Sequence, residues 1–337
     1  MKILVVSGFL GAGKTTFIKE LIRRSGKYLV VLENEYGQNN LDSQELQGGN
    51  STDLKLLEFM EGCVCCTQKD KFSNTIVAIS AGIDPDYLVV EPTGVGKLSN
   101  ILNAVRKVAY EKICLLKPIV ILTPHSFDYN LQMFGDIFRD QIINAGRIIF
   151  SKNETADPAL LGEVCEKIFA LNSSAEIIQS HYSAMSQEWW DSLLLEEGEQ
   201  HEESQGDGAE KHDDETDQVT LRSCFCTRPA ELILLLEDIL RGEFGLIPRA
   251  KGVIQVGGEW LRFSLADQLY AIIQEPEEAN QVTQCVFIGR YLNKAKLAER
   301  LKAYDSLYPK TYLNKAKTLS VRSAKAVRKN SKSRHEA

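Results

Sequence analysis

Eight residues near the start of the chain have the types and spacing that bind phosphate. Residues 8–15 read Gly-Phe-Leu-Gly-Ala-Gly-Lys-Thr, two glycines five apart followed by a lysine and a hydroxyl residue. The glycines let backbone N–H groups turn inward around phosphate oxygens, while Lys14 can reach the β- and γ-phosphates and the Thr15 hydroxyl can ligate Mg²⁺. This phosphate loop predicts a nucleotide site formed by Gly8, Gly11, Ala12, Gly13, Lys14, Thr15 and Thr16.

A second segment predicts the contacts to Mg²⁺ and the γ-phosphate. The apolar run 88–90 ends at Glu91, and Pro92, Thr93 and Gly94 follow. Ligands of parallel sheets lie at the carboxyl ends of the strands. We therefore expect Glu91 to hold Mg²⁺ or its water and the Gly94 N–H to bond the γ-phosphate. The alternative is a glutamate that only caps a turn at the strand end.

Three thiols within four residues predict a site for a soft metal ion. Cys63, Cys65 and Cys66 stand in the run Gly-Cys-Val-Cys-Cys-Thr. Thiolates suit Zn²⁺, Cu(I) and related ions, and three protein ligands leave one tetrahedral position open, which favours a transfer site over a closed structural one. The alternatives are three packed apolar cysteines or a redox pair. We refer to these residues as the cysteine motif.

The remaining cysteines and the histidines are weaker candidates for metal ligands than the cysteine motif. Cys224 and Cys226 alternate along a predicted strand and so face one side of it. His125 follows a predicted strand on the ligand side of the sheet and is a candidate outer metal ligand. His201 and His212 lie among acids and are interpreted as solvated, with loose binding of metal as the alternative. We expect the other cysteines to pack in the core, namely Cys114, Cys165, Cys224, Cys226 and Cys285.

Composition excludes several classes of protein. The 337 residues are 44% hydrophobic and 25% charged, as in ordinary globular proteins, and no apolar run reaches the roughly 18 residues of a membrane span. The start of the chain runs directly into the phosphate loop and is interpreted as a strand, not a signal peptide. We therefore expect a cytoplasmic protein in a reducing compartment, whose eight cysteines are free thiols, metal ligands or redox groups.

The formal net charge of −7 is distributed unevenly. Residues 196–217 hold eleven acids and one lysine, a local net of −10, and residues 310–337 hold nine basic residues and one acid, a local net of +8. The remainder carries −5 (−7 + 10 − 8). The body of the protein thus shows no charge pattern for nucleic acid or membrane, and both charged segments are predicted to be solvated.

Alternating strands and helices must position these residues. Strands predicted at 2–7, 28–32, 87–91, 119–123, 147–151 and 176–179 alternate with helices predicted at 15–24, 73–81, 98–110, 127–144 and 158–170. This predicts an α/β P-loop fold, a parallel sheet with helices on both faces. A small α+β domain is predicted to follow, with strands at 221–227, 252–256, 259–264, 268–273 and 283–289 and helices at 229–240 and 294–304. The predicted divisions are 1–195, an acidic linker 196–217, 218–309 and a basic tail 310–337.

The motifs in this order resemble the CobW family of GTPases, related to the nickel-insertion GTPases UreG and HypB. The resemblance covers about residues 1–305, and its second half includes Cys-Val-Phe-Ile-Gly-Arg at 285–290. The motifs are Gly-Phe-Leu-Gly-Ala-Gly-Lys-Thr-Thr at 8–16, Glu-Asn-Glu-Tyr-Gly at 33–37, Gly-Cys-Val-Cys-Cys-Thr at 62–67 and Glu-Pro-Thr-Gly at 91–94.

The resemblance implies a nucleotide-dependent metallochaperone or insertase that hydrolyses GTP with Mg²⁺. It implies Zn²⁺, or cobalt or nickel, at the cysteine motif, and a client metalloprotein or cofactor-assembly enzyme as partner. Glu35 falls in a segment that contacts the metal or the γ-phosphate side, so Lys14, Glu91 and Glu35 are the predicted catalytic residues. Asp42 and Glu58 match acidic positions nearby. The sequence leaves a homodimer open.

One departure from the family concerns the base. The family reads guanine with Asn/Thr-Lys-x-Asp, where this chain has Ser151, Lys152, Asn153 and Glu154. The glutamate is one methylene longer, so ATP stays open as the nucleotide. Three alternative functions also stay open: a metal-sequestering or client-docking module with negligible hydrolysis, an ATP-preferring P-loop enzyme, and a kinase for a small metabolite.

Overall fold

The computed structural model describes residues 1–33, 54–58, 69–110, 112–198, 216–275 and 282–303, with only the backbone for 54–58 and 69–71. These residues form two compact units, one from within 1–214 together with 266–268, the other from within 215–265 and from 269 onward. Among them, no helix has both the length and the apolar composition needed to cross a bilayer.

The first unit is built on a parallel sheet in the order β3-β2-β4-β1-β6-β7-β8, with β5 beside β1. Its strands are β1 (Lys2–Gly8), β2 (Leu29–Glu33), β3 (Leu54–Glu58), β4 (Tyr87–Glu91), β5 (Cys114–Leu115), β6 (Ile119–Leu122), β7 (Arg147–Phe150) and β8 (Glu176–Ile178). Its helices are α1 (Lys14–Ser25), α2 (Lys69–Gly82), α3 (Leu98–Arg106), α4 (Phe127–Met133), α5 (Gly135–Ile143), α6 (Pro158–Leu171) and α7 (Gln187–Ser192). The predicted α/β P-loop class is confirmed.

The alternation of side chains along β1 explains why helices cover the sheet. Leu4 and Val6 join one apolar cluster with Phe17 of α1 and Trp190 of α7. Their neighbours in β1 point to the opposite side of the sheet and are equally buried. Helices α2, α3 and α5 pack on one another in sequence, α2 against α3 and α3 against α5. Because β1 is buried on both faces, its sequence is a continuous apolar run.

The single helix predicted at 127–144 is wrong, because the chain breaks it at Phe134. This residue has φ −132° and ψ 34°, and it ends α4 and precedes α5. Its ring is fully buried, 5.0 Å from the ring of Phe9 in the phosphate loop. A continuous helix would hold Phe134 at helical angles, and Gly135 beside it lowers the cost of the break. The break therefore lies beside the nucleotide motif.

The second unit is a six-stranded sheet covered by two helices, as the α+β prediction requires. The strand order is β13-β12-β11-β14-β9, with β10 parallel to β11, and β14 is antiparallel to both β9 and β11. Helix α8 buries four leucine and isoleucine side chains at helical spacing, Leu232, Leu235, Leu236 and Ile239. The elements are β9 (Asp217–Arg222), β10 (Phe225–Cys226), α8 (Pro229–Leu240), β11 (Leu246–Val256), β12 (Glu259–Ala266), β13 (Leu269–Gln274), β14 (Gln284–Arg290) and α9 (Lys294–Arg300).

Both ends of the predicted linker 196–217 belong to ordered structure. The Lys117 N–H donates to the carbonyl of Glu196, and the Glu196 carboxylate lies 2.9 Å from the guanidinium of Arg147, which is buried. At the other end Asp217 begins β9. Acidic composition gives no sign of this contact, because the buried arginine that pairs with Glu196 lies 49 residues earlier in the chain. Residues 199–215 and the predicted tail 310–337 lie outside the described residues.

Candidate functional site

The phosphate loop links the end of β1 directly to the start of α1. Gly8, Gly11 and Gly13 have φ values of 143°, 78° and 93°, in the region that favours glycine. A Cβ on Gly8 would lie 2.3 Å from the carbonyl oxygen of Ile121 in the neighbouring strand β6, so only glycine fits at this position. No side chain of the described residues caps the N-terminus of α1, and its first turn contains no acid. Its N–H groups and the positive end of its dipole therefore suit an anionic ligand.

Lys14 is held inside this loop although it carries a charge. Its side chain is buried, at 7% exposure, and its Nζ donates to the carbonyl oxygens of Gly8 (3.1 Å) and Phe9 (3.3 Å). A buried ammonium is costly unless it is hydrogen-bonded or paired with an anion. The loop therefore positions a cation for an anionic ligand.

Thr15 and Glu91 meet at the carboxyl end of the sheet. The Thr15 hydroxyl lies 3.0 Å from Oε1 and 3.2 Å from Oε2 of Glu91, and donates its hydrogen to that carboxylate. The two residues are 76 positions apart in sequence and come together because β4 lies beside β1. A hydroxyl oxygen and a carboxylate next to a phosphate loop are the oxygen ligands that Mg²⁺ uses in P-loop proteins.

The loop of residues 92–97, which we name the sensor loop, packs against the phosphate loop. A Cβ on Gly94 would lie 2.6 Å from the Leu10 nitrogen and 2.9 Å from the Phe9 carbonyl carbon, so no larger residue fits without backbone movement. Gly94 is buried at this contact. The structure thus brings Gly94 to the phosphate loop, and its predicted hydrogen bond to the γ-phosphate stays a prediction.

The predicted base-reading residues begin where β7 ends. The Ser151 hydroxyl donates to the carbonyl of Ala12 (2.6 Å) and so ties this segment to the phosphate loop. Lys152 is exposed and has a left-handed φ of 52°. Asn153 donates through Nδ2 to the carbonyl of Gln179, which joins the segment to the residues after β8.

Glu154 has a partner that the motif did not predict. Its carboxylate, 61% exposed, lies 3.3 Å from Nε2 of His181. The Ser183 N–H donates to Nδ1 of the same ring (3.3 Å), and the Ser183 hydroxyl lies 2.7 Å from that nitrogen. The His181 ring also stacks on Tyr182 at 4.3 Å. The longer side chain of Glu154 is thereby steadied at the surface.

Three glutamates end three neighbouring parallel strands at this edge of the sheet. The Cα of Glu33 in β2 pairs in register with Glu58 in β3 and with Glu91 in β4. Glu33 is buried. The register therefore brings the backbone of Glu58, predicted from the resemblance, two strands from Glu91.

The cysteine motif, Glu35 and Asp42 lie outside the described residues, as do His201 and His212. Within the part of the chain that the structure describes, no three His, Cys, Asp or Glu side chains are placed to hold a metal ion, and His125 is exposed beyond β6. Thr16 is also exposed, in the first turn of α1.

The five other cysteines are free thiols, and three of them are core residues as predicted. Burial raises the pKa of Cys226 to about 11 and raises that of Cys285 as well, so both stay protonated and unsuited to metal. Cys224 is likewise buried. The core prediction is wrong for Cys114 and Cys165, which are only half-buried.

The donor set fits a magnesium nucleotide. The carboxyl end of β1, between β4 and β6, brings together the glycine-rich loop, the buried Lys14, the N-terminus of a twelve-residue helix and the Thr15–Glu91 pair.

Comparison with known families decides the class of this protein. Residues 2–179 match the CobW/HypB/UreG nucleotide-binding domain. The chain belongs to the CobW/HypB/UreG family. Residues 217–304 match the cobalamin synthesis protein cobW C-terminal domain. Both matches confirm the resemblance drawn from the motifs.

Several relatives of this CobW-family chain carry names that refer to zinc. It is 28% identical over 186 residues to the zinc chaperone YjiA of Escherichia coli, which is 52% of this chain and 56% of YjiA. It is 25% identical over 296 residues to a zinc chaperone CobW of Sinorhizobium, 77% of this chain and 82% of that one. The matched stretch thus spans little more than half of YjiA. The crystal structure of zinc-bound YjiA GTPase is 19% identical, over 91% of this chain and 99% of that chain, with a TM-score of 0.42.

Two residues near the site of this CobW-family chain, His181 and Gln141, belong to no sequence motif. His181 follows β8 and carries no recognisable pattern. Gln141 is the one polar residue among the buried positions of α5, with Ile137, Phe138 and Ile142. A glutamine on the apolar face of an amphipathic helix is a signal that the sequence did contain, because a buried amide needs hydrogen-bond partners.

Proposed function

We propose that this CobW-family chain is a GTPase that hydrolyses GTP to GDP and phosphate with Mg²⁺, and that it couples this turnover to binding and handing over Zn²⁺. The Thr15–Glu91 contact beside the phosphate loop carries the proposal, because it unites the two oxygen ligands that a magnesium nucleotide needs. The names of the zinc-chaperone relatives support zinc as the transported metal.

The chain's own groups would bind and orient the triphosphate. Loop N–H groups and Lys14 would surround the β- and γ-phosphates, and Thr15 with Glu91 would hold Mg²⁺. Bound Mg²⁺ would neutralise charge on the phosphate oxygens. The Gly94 N–H would bond the γ-phosphate.

Guanine would be read by the segment 151–154. Ser151 fixes this segment on the phosphate loop, and the Glu154 carboxylate would accept hydrogen bonds from the N1–H and N2–H groups of guanine. The contact with His181 supports this role, because it steadies a side chain that is one methylene longer than aspartate.

Chain connectivity supports coupling between the two sites. Cys63 follows Glu58 by five residues, and five residues of chain span at most about 18 Å. Glu58 ends a strand two positions from Glu91, and neighbouring strands are about 4.8 Å apart. The cysteine motif is therefore tethered to the sheet edge that holds the predicted Mg²⁺ ligands. Cys63, Cys65 and Cys66, with Glu35, would hold Zn²⁺ as cargo.

Delivery of a metal requires a recipient. We propose a client metalloprotein or cofactor-assembly enzyme as partner and the cytoplasm as compartment, where the cysteine motif would stay reduced. Cobalt and nickel are the alternative cargo ions, since three thiolates suit several metals.

Phosphate release from GTP and from ATP tests the enzymatic part. With Mg²⁺ and the full chain we expect slow GTP turnover and a kcat/KM at least about tenfold higher for GTP than for ATP, because the carboxylate pairs with donors that adenine lacks. Glu154→Gln should remove most of this preference. Glu163→Gln, which changes an exposed glutamate on α6, should keep it.

Equal kcat/KM values for GTP and ATP in the wild-type chain would contradict the guanine assignment. Tight GTP binding with no turnover, whatever metal is added, would favour the alternative of a nucleotide-regulated module that sequesters metal.

A further inference from the structure

Gln141 is a buried polar side chain whose amide nitrogen donates to the sensor loop. It lies on α5 at 1% exposure, beside the buried Phe138 and Ile142. Its Nε2 donates to the carbonyl oxygens of Gly94 (3.2 Å) and Gly96 (3.1 Å). Both carbonyls belong to the sensor loop. The cost of burying this amide is therefore offset by its two hydrogen bonds to the sensor loop.

The orientation of the amide follows from its partners. Within the described residues the Oε1 atom of Gln141 is buried and has no hydrogen-bond partner. Exchanging the oxygen and nitrogen would point Oε1 at two carbonyl oxygens and lose both bonds. The amide orientation is thus set by its hydrogen bonds to Gly94 and Gly96.

The preceding residue of α5, Asp140, holds the start of α3 directly after the sensor loop. The Ser99 N–H at the start of α3 donates to Oδ2 of Asp140 (3.0 Å). Inside the loop the Gly96 N–H donates to the Thr93 carbonyl (3.0 Å). Consecutive residues of α5 therefore hold the sensor loop and the first turn of the helix that follows it.

Helix α5 also contacts the phosphate loop. Phe9 packs against Phe134 with ring centroids 5.0 Å apart and meets Phe138 edge-on at 6.0 Å. Phe138 is one helical turn before Gln141, so the same helix supports both loops. The close approach of Gly94 to Leu10 and Phe9 then fixes where the Gly94 N–H lies relative to the phosphate cradle.

We propose that Gln141 is a positioning residue for recognition of the triphosphate. It holds the sensor loop against the phosphate loop, so that the γ-phosphate meets a preorganised Gly94 N–H. This inference rests on the proposed nucleotide site. A diphosphate would use the phosphate loop and Lys14 without reaching Gly94. Loss of Gln141 should therefore weaken binding of the triphosphate and leave binding of the diphosphate unchanged, whereas a purely structural glutamine would affect both equally.

Calorimetric titration of the full chain with Mg²⁺ tests this role. In Gln141→Met, which keeps the length of the side chain but has no donor, we expect the Kd for a non-hydrolysable GTP analogue to rise about tenfold or more. The Kd for GDP should change less than twofold. Gln187→Met is the matched control, since Gln187 on α7 donates to the carbonyl of Arg24, and it should change neither value.

Gln141→Glu keeps the shape of the side chain and serves where Gln141→Met does not fold. It turns a carboxylate oxygen toward two carbonyls and should raise the Kd for the analogue at least as much. Equal shifts for both nucleotides, or no shift for either, would overturn the role of Gln141. A wild-type chain that binds neither nucleotide would overturn the proposed function and this inference together.

Discussion

Replacing Lys14 with alanine should lower kcat for GTP hydrolysis by at least about a hundredfold. The ammonium group lies buried in the phosphate loop and is aimed by the carbonyls of Gly8 and Phe9, so its position requires no reorganisation when phosphate arrives. Preorganised donors of this kind contribute roughly 10²–10³ in kcat. The variant should also lose most of the thermal stabilisation that GTP confers on the wild type, since that stabilisation depends on affinity.

Lys27→Ala is the control for the Lys14 variant. Lys27 lies beyond the other end of α1, roughly 18 Å from the phosphate loop, and contacts the Tyr87 hydroxyl. It should retain wild-type kcat. Phosphate-release kinetics and thermal unfolding with and without GTP measure both variants. Wild-type turnover in Lys14→Ala would show that the phosphate loop is not the site of hydrolysis.

Replacing Cys63, Cys65 and Cys66 with serine should raise the Kd for Zn²⁺ by more than a hundredfold. Serine hydroxyls do not replace thiolates as ligands for a soft ion. Loss of outer partners alone weakens metal sites roughly 10–100-fold, so the loss of three direct ligands should cost more. Titration against a chromophoric chelator measures the affinity. Binding of GDP should persist, because none of these residues belongs to the phosphate loop.

A double variant of two other cysteines controls for general thiol binding. Cys114 and Cys165 are half-buried, and burial raises the pKa of both thiols, which disfavours the thiolate that binds metal. Cys114→Ser with Cys165→Ser should leave the zinc affinity unchanged. If this double variant loses zinc and the triple variant keeps it, the assignment of the cysteine motif is wrong.

The phosphate loop could be predicted from sequence because its requirements are local. Left-handed glycines, a following helix and a buried strand before it all lie within residues 2–25. The strand that ends at Glu91 could be predicted equally well, because both of its faces are buried and its sequence is one apolar run. These elements confirm that strong local patterns specify this half of the fold.

Contacts between distant segments could not be predicted in this way. The break at Phe134 depends on Phe9, 125 positions earlier. Glu196 belongs to the segment predicted as a linker, and its carboxylate pairs with the buried Arg147. Strand β3 was missed because its pairing with β2 is visible only in the sheet. His181 reaches Glu154 through a loop that no motif describes. In each case the deciding partner is remote in sequence.

The proposed function predicts reciprocal coupling between the nucleotide and the metal. Glu33, Glu58 and Glu91 end adjacent strands in register, and the cysteine motif follows Glu58 closely in the chain. A γ-phosphate that draws on Gly94 and Glu91 would act at the same sheet edge from which the metal-binding segment departs. By linkage, any effect of GTP on zinc affinity must appear equally as an effect of zinc on GTP affinity.

The most direct test is a calorimetric zinc titration of the full chain in the presence of a non-hydrolysable GTP analogue, of GDP, and of neither. If nucleotide and metal are coupled, we expect the Kd for Zn²⁺ to differ between the GTP analogue and GDP by at least about fivefold, the lower end of usual coupling between sites. The same zinc affinity in all three conditions would contradict this coupling.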